Sequence, residues 1–540
     1  MKDLKVSCLQ LRAHDIEDAE KALAQALAAV DAEARHEPDL MVLPECIYPA
    51  YYLAPWLGRE DLGQRLKCAL DRFAKKAAEW GIWLCVGLVE AAGGVLYNSA
   101  YLIDRQGVVR GTARKHLLWH FDRLWFETGA DFSVVDVDNA QGETCKVGMI
   151  ICADGRVMEV SRCLTLQGAA LILNVTNWVT HGRQEDDLSN IQAKYMMSCR
   201  ARENQVYIAC ANKVGMEKRS ILYCGRSQVV GPDGNVMVMA SSDREETIRS
   251  VVDFSPSKTP TPPRLHPVEA RRPYLYRALV DDPPPCSRTR PDGSLGIGLI
   301  QSALDDSDSL ERAGDYVKLL EEQGAQLVLL GEPHHRLWES DQALSGLGRA
   351  MQNKETLVAF VARETDGTSH YKTLFLMNGH GVQGKYRKTH LEAHEQEQFQ
   401  AGDSIVTWSL GHLTLGGMLG YEGMIPEIAR LHMIKGAHIV LWPRAPQERL
   451  LSVAVTRAAE NRLFVAMADN LSAGTGSSAV IDPAGQFNAP LLNDHEQAGV
   501  VVTLPAMAEH KLVAPATDVM AGRQPKRYHH LLMDTDQSAN

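Results

Sequence analysis

The chain repeats itself, and that repeat limits its fold more than any other feature of its 540 residues. Leu43-Pro44-Glu45 returns as Leu329-Leu330-Gly331-Glu332-Pro333, and Arg114-Lys115-His116-Leu117 as Arg387-Lys388-Thr389-His390-Leu391. Arg200-Ala201-Arg202-Glu203-Asn204 returns as Arg457-Ala458-Ala459-Glu460-Asn461, and the turn at 225–234 returns at 476–485. The separation falls steadily: 287 residues at the glutamates (332 − 45), 273 at the lysines (388 − 115) and 251 at the turns (476 − 225). One duplicated unit with shorter loops in its second copy produces that trend. The length agrees, since single cores stop growing beyond about 300 residues. The expected division is a first copy with a C-terminal extension over 1–281, a Pro-rich linker at 282–293, and a second copy over 294–540. Asp281-Asp282-Pro283-Pro284-Pro285, within the proline-rich tract at 255–292, reads as a stiff exposed spacer.

Within the first copy, short β-branched runs alternate with amphipathic stretches. Residues 4–11, 82–89, 96–103, 169–173, 205–211 and 226–230 read as strands, and 15–34, 60–80 and 188–204 as helices. Such alternation with several adjacent strand pairs predicts a layered α/β domain.

Composition excludes some functions. A net charge of −11 without a basic tract argues against nucleic acid or an anionic membrane surface as partner. The eleven cysteines are an odd number, scattered without framework spacing and absent beyond Cys286, which fits reduced thiols. No secretory h-region and no apolar run near 18 residues is seen, so the expected location is the cytoplasm.

Chemistry concentrates at strand ends. The run Lys146-Val147-Gly148-Met149-Ile150-Ile151 stops at Cys152, and a helical pattern follows through Gln167. A thiol there would sit beside the first N–H groups of a helix, which favour a thiolate and can hold an oxyanion. Free cysteine is also among the most buried residue types, so Cys152 has a packing reading as well. Glu45 ends one strand and Lys115 follows another. Alone, Glu45 reads as a helix cap and Lys115 as a solvated charge. Together with Cys152 they supply a base, a cation and a nucleophile, at the sheet edge where α/β proteins place their sites. The duplicate of Cys152 is Gly420, so the second copy has no thiol there.

These residues are also where the chain resembles the nitrilase, or carbon–nitrogen hydrolase, superfamily. The family pattern places Glu after a Leu-Pro dipeptide, Lys in an Arg-Lys-x-His-Leu motif, and Cys before Asp-x-Arg-x-Pro-Glu. Here these are Leu43-Pro44-Glu45, Arg114-Lys115-His116-Leu117 and Cys152-Ala153-Asp154-Gly155-Arg156-Val157-Met158-Glu159. The resemblance spans the chain twice, with the second copy catalytically degenerate. It implies a nitrilase-like αββα sandwich in two tandem copies, a Glu45-Lys115-Cys152 triad, and neither metal nor cofactor. It also implies face-to-face pairing of such domains, here as an internal pseudo-dimer open to further self-association. Three departures stand out. The lysine motif is one residue shorter than usual, Asp122 takes the place of a second glutamate that the duplicate keeps as Glu395, and Met158 replaces a proline.

The implied activity is cleavage of a non-peptide C–N bond in a small amide or carbamoyl compound. Cys152 forms a thioester, and Ala153 N–H and Lys115 support the oxyanion. Nitrile hydrolysis, acyl transfer or ammonia supply by the same cysteine, and a non-enzymatic scaffold are the competing readings. Tyr48, Tyr51, Tyr52, His120, Trp125, Asn177 and Trp178 lie near the strand ends and are candidate pocket walls, with plain aromatic packing as the alternative. His390 and His394 are four apart, but Leu391 occupies the place that a His-Glu-x-x-His zinc site needs for its glutamate. His334-His335 and His529-His530 read as packed or solvated.

Overall fold

The computed structural model describes residues 2–130, 132–180, 188–255, 267–282, 291, 293–333, 337–444, 450–471, 476–491 and 495–533. Most of the expected linker at 282–293, and His334 and His335, lie outside the described residues. The chain forms two compact units. Unit 1 comprises Met1–Pro260, Ala514–Thr517 and Ala521–Asn540, and unit 2 comprises Thr261–Val513 and Asp518–Met520. Residues 267–281, read from sequence as the end of the first copy, therefore belong to unit 2, because their contacts are made there: Arg271 pairs with Glu427 and Tyr276 with His390.

Unit 1 begins with β1 (Asp3–Arg12), α1 (Ala19–Ala34), β2 (Leu40–Val42), α2 (Leu62–Trp80), β3 (Trp83–Ala92), β4 (Val95–Ile103) and β5 (Val109–Arg114). It continues with β6 (Val134–Asp138), β7 (Thr144–Ile151), α3 (Met158–Leu166), β8 (Leu171–Val175), α4 (Met197–Asn204) and β9 (Tyr207–Ala211). β10 (Lys213–Glu217), β11 (Ile221–Cys224), β12 (Gln228–Val230), β13 (Val236–Met239) and β14 (Glu246–Asp253) complete it. One sheet has the order β11-β10-β1-β2-β3-β4-β5 with β14 alongside β1, and the other β13-β12-β9-β8-β7-β6. The sheets face each other through β1–β5 and β7–β9, and α1 and α2 cover the outer face of the first. α3 and α4 pack on the second, which gives the αββα sandwich.

Local sequence explains these elements. In α2, Leu62, Leu66, Ala69, Phe73 and Ala77 are buried at helical spacing, and the helix ends at Gly81 in a left-handed conformation. Burying a leucine or phenylalanine side chain contributes roughly 1.5–3 kcal/mol, so this one stripe docks the helix. β8 is buried at all five positions, as a central parallel strand with both faces covered requires.

Unit 2 repeats the plan. β15 (Leu295–Gln301), α5 (Ser309–Glu322), β16 (Leu327–Leu330), β17 (Trp338–Glu339), α6 (Ser340–Ala350), β18 (Leu357–Asp366), β19 (Ser369–Asn378) and β20 (Gly381–Arg387) form one sheet and its helices, completed by β27 below. After α7 (Ala393–Gln396), the second half is β21 (Thr407–Leu410), β22 (Leu413–Gly417), α8 (Pro426–Ile434), β23 (Ile439–Arg444), α9 (Leu451–Asn461), β24 (Phe464–Asp469), β25 (Ser478–Ile481), β26 (Phe487–Leu491) and β27 (Gln497–Thr503). The sheet orders are β20-β19-β18-β16-β15-β27, with β17 alongside β18, and β21-β22-β23-β24-β25-β26. Ile297, Leu299, Leu327, Leu441 and Phe464 form its inter-sheet core. None of the described helices in either unit is long and apolar enough to cross a membrane.

Candidate active site

Four strand ends of unit 1 meet at one place. Glu45 lies three residues beyond β2, Lys115 directly follows β5, Cys152 directly follows β7, and Asn177 and Trp178 follow β8. The Glu45 backbone N–H reaches Thr176 O at 3.4 Å, tying an end of the first sheet to an end of the second. Gly87 in β3 lets the segment after β2 lie directly against it, because a Cβ there would come within 2.5 Å of Glu45 Cα.

Glu45, Lys115 and Asp122 form a buried charge cluster. Lys115 Nζ is 2.7 Å from Glu45 Oε1 and 2.7 Å from Asp122 Oδ2, with all three side chains out of solvent. The shorter Asp122 therefore reaches the lysine as well as a glutamate would. Burial pulls the Lys115 ammonium down, but the Asp122 and Glu45 carboxylates outweigh it and hold the lysine well above its usual range. Asp122 is pushed up, mainly by burial, with Lys115 opposing. Asn98 Nδ2 donates to Glu45 Oε1 at 2.6 Å. Glu45 Oε2 is buried and has no hydrogen-bond partner among the described residues, and Glu45 lines the same cavity as Cys152.

Cys152 begins a five-residue 3₁₀ turn, Cys152–Arg156, and α3 starts only at Met158. The expected helix N-terminus beside the thiol is thus replaced by a tight turn. Its φ of 48° lies in the left-handed region, which costs a non-glycine residue of order 1–3 kcal/mol. The turn is held from several sides. Cys152 N–H donates to Asn174 Oδ1 at 2.9 Å, and Arg200 Nε donates to Gly155 O at 3.1 Å while pairing with Glu203. Asp154 accepts N–H bonds from His116, Leu117 and Ile151, so one carboxylate joins the lysine loop to the cysteine turn. The thiolate expected from a helix dipole is not favoured here. Burial pushes the Cys152 thiol up to about 12, with Glu45 adding and Lys115 opposing.

The enclosed cavity at the thiol is lined by Glu45, Tyr51, Trp119, Cys152, Ala153, Arg156, Asn177, Trp178, Val179, Asn190 and Gln192. Tyr51, Asn177 and Trp178 of the expected walls are among them. Tyr48, His120 and Trp125 are not. Tyr48 OH donates to Glu20 Oε1 instead, His120 packs edge-on to Phe121, and Trp125 packs with Tyr52 and Phe121 and lines a separate open groove. Nearness in sequence to a strand end does not decide which way a loop side chain turns. Arg156, stacked over Trp119 at 4.7 Å, was visible in the cysteine motif. Gln192 sits in a π-turn forty residues beyond Cys152, and no local signal marks it. With its amide oriented to satisfy both neighbours, it donates to Cys152 O at 2.7 Å and accepts from Trp178 Nε1 at 3.3 Å. Both side-chain polar atoms of Asn177 are buried without a partner among the described residues, at the cavity wall.

Unit 2 keeps the frame and changes the chemistry. Lys388 Nζ is 2.6 Å from Glu395, which takes the place of Asp122. Lys372, at the position of Asn98, pairs with both Glu332 and Glu395. Trp442 stands where unit 1 has Asn174, and its indole N–H bonds Gly420 O at 2.9 Å. Among the described residues, Glu392, His394 and Glu395 bring possible metal-ligand atoms within 4.8 Å of one another. Glu395 is already held by two lysines, and His390 bonds Tyr276 and Thr389 rather than joining His394.

A buried carboxylate, lysine and cysteine thus meet at the strand ends of an αββα sandwich. The chain belongs to the carbon–nitrogen hydrolase family, whose model matches residues 5–257 and again 296–507. It is similar to a nitrilase of Pyrococcus abyssi, 29% identical over 254 residues that cover 46% of this chain and 90% of that protein. It is also similar to a hydrolase in the pqqF 5' region of Pseudomonas protegens, 34% identical over 41% of this chain and 73% of the relative. An (R)-stereoselective amidase of a Pseudomonas species is 28% identical over 46% of this chain and 85% of the amidase. Among solved structures, an amidase from Nesterenkonia sp. AN1 matches with a TM-score of 0.42 and 21% identity, over 51% of this chain and 98% of that one.

Proposed function

We propose that unit 1 hydrolyses the amide or carbamoyl group of a small molecule through a Cys152 thioester, releasing ammonia or an amine. The observation that carries this reading is that Cys152 and Glu45 line one enclosed cavity, with Lys115 paired to Glu45 at 2.7 Å and Glu45 Oε2 left without a hydrogen-bond partner among the described residues. At rest the thiol is protonated, so attack needs a base, and Glu45 Oε2 takes the proton. The sulfur adds to the carbonyl carbon, and the oxyanion faces the Lys115 ammonium, which its carboxylate partners keep charged. Protonated Glu45 returns its proton to the departing nitrogen as the C–N bond breaks. The carboxylate then removes a proton from water, which attacks the thioester. The acid leaves, and the proton passes back to sulfur. These steps balance without a cofactor. Relatives named amidase, N-carbamoylputrescine amidase and omega-amidase support amides and carbamoyl compounds as the substrate class.

The relative named nitrilase supports a second reading, in which the same sulfur adds to a nitrile carbon. The test is an activity screen over small amides, ureido acids and nitriles, with mass spectrometry of the Cys152 peptide. An acyl adduct on Cys152 and free acid as product are expected. An amide adduct with added amine in place of acid would show acyl transfer instead. Turnover by Cys152→Ala would overturn the nucleophile, and no adduct or turnover on any substrate would leave the scaffold reading.

A further inference from the structure

The last described segment of the chain packs around the site of unit 1 without lining its cavity. Thr517 Oγ1 accepts the His120 N–H at 2.8 Å. Gln524 Nε2 donates to Gly129 O at 3.2 Å and to His116 O at 3.4 Å. Tyr528 OH lies 2.7 Å from His116 Nε2 and accepts the Gln524 N–H at 2.9 Å. Arg523 Nε pairs with Glu159 at 3.0 Å, with both side chains buried. These contacts fall on two elements. His116, His120 and Gly129 belong to the loop that starts at Lys115 and carries Asp122, and Gly129 N–H itself bonds Lys115 O at 2.8 Å. Glu159 is the second residue of α3, which follows the Cys152 turn.

The same brace is built a second time in unit 2. Arg271 pairs with Glu427 at 3.0 Å, Tyr276 OH lies 2.8 Å from His390 Nε2, and Arg272 donates to Thr389 O and Gly402 O. Arg271-Arg272-Pro273 and Tyr276 thus match Arg523-Gln524-Pro525 and Tyr528, each 252 residues apart (523 − 271 and 528 − 276). Unit 2 has Gly420 in place of the thiol, so it reports what the brace contributes to folding alone.

We infer that the arm at 514–533 is a positioning element for the hydrolytic site: Thr517, Gln524 and Tyr528 fix the loop bearing Lys115 and Asp122, and Arg523 fixes the helix behind Cys152. The inference rests on the reading that Cys152, Glu45 and Lys115 carry the chemistry. Asp154, in the cysteine turn, bonds the N–H groups of His116, Leu117 and Ile151, so a shift of the loop reaches Cys152. Small misplacements of reacting groups are costly in rate even when the fold survives.

The test uses the full chain as wild type, Tyr528→Phe and Tyr276→Phe. Two rates are measured: hydrolysis of an amide that the wild type turns over, split into kcat and KM, and alkylation of Cys152 by iodoacetamide. In the alkylation the sulfur displaces iodide, and peptide mass spectrometry follows it. Tyr528→Phe is expected to slow kcat and alkylation about tenfold with KM unchanged, the equivalent of one lost hydrogen bond in alignment. Tyr276→Phe is expected to lower the melting temperature comparably and leave both rates at wild-type values. Wild-type rates in folded Tyr528→Phe, or equal slowing in Tyr276→Phe, would overturn the inference. Should Tyr528→Phe not fold, Thr517→Val must slow both rates and Thr517→Ser must not; equal rates in that pair would overturn it too. Hydrolysis by Cys152→Ala would instead sink the underlying reading, and is scored separately.

Discussion

Cys152 and Gly420 hold the same backbone conformation, with φ of 48° and 49°, each as the first residue of a five-residue 3₁₀ turn. The turn is a property of the duplicated fold, and only the first copy keeps a side chain at its first position. Cys152→Ala and Cys152→Gly should both abolish turnover with the fold intact. The glycine variant should be the more stable in urea, by about 1 kcal/mol, because glycine adopts positive φ without strain. A less stable glycine variant would show that the conformation is not strained.

Glu45→Gln keeps the shape and loses the proton acceptor, so kcat should fall by about 10²–10⁴. Lys115→Met is a different case. Were Lys115 the solvated charge that its sequence alone suggests, the change would cost little stability, but the lysine is buried between two carboxylates. Removing one partner of a buried ion pair costs about 3–5 kcal/mol. Denaturant midpoints should therefore drop for Lys115→Met and drop less for Glu45→Gln, where Lys115 keeps Asp122. An unchanged kcat in either variant would remove that residue from the mechanism.

Gly420→Cys restores a thiol to unit 2 without restoring a site. An added Cβ meets Glu332 Oε2 at 3.0 Å and Lys388 Nζ at 3.5 Å, so the thiol fits only tightly. Glu332 is paired by Lys372, and Trp442 replaces the asparagine whose carbonyl receives the Cys152 N–H. In a Cys152→Ala background, Gly420→Cys should show no turnover and a lower melting temperature. Appreciable hydrolysis by that double variant would mean that Gly420 alone separates the two copies.

Acid should destabilise the protein in a defined window. Burial, the largest cause in each case, lowers His14, His116 and His432 from 6.5 to about 4. Between those values the unfolded chain binds protons that the folded chain does not, so the contribution of these groups is full above about pH 6.5 and shrinks as pH falls toward 4. Urea midpoints at pH 7 and pH 5 measure it, and His116→Gln should flatten the difference. An identical slope in that variant would place the effect elsewhere.

Residues 1–281 made alone should be insoluble, self-associated or poorly active. Unit 1 includes 521–533, whose Tyr528 and Leu531 are fully buried. Losing them uncovers His116 and Glu159. Adding residues 294–540 in trans should restore activity, and a fully active monomeric 1–281 would contradict this account.

The sequence alone determined the duplication, the αββα class and the three chemical groups, because each is written locally. Strand and helix periods set the layers, and Glu45, Lys115 and Cys152 stand at the ends of short apolar runs. Gly420 at the duplicate of Cys152 was equally legible. What remained invisible depended on where distant segments come to rest. No period or motif says that Tyr48 turns to Glu20, that Gln192 reaches back to Cys152, or that burial holds the Cys152 thiol up to about 12. The arms are the clearest case. Arg271 and Tyr276 follow the first copy in sequence yet find their partners, Glu427 and His390, in the second unit, while Arg523 and Tyr528 find Glu159 and His116 in the first. Covalent order sets which residues are neighbours along the chain. Which buried carboxylate receives an arginine is decided by tertiary packing, since a buried charge is tolerated only where a partner meets it.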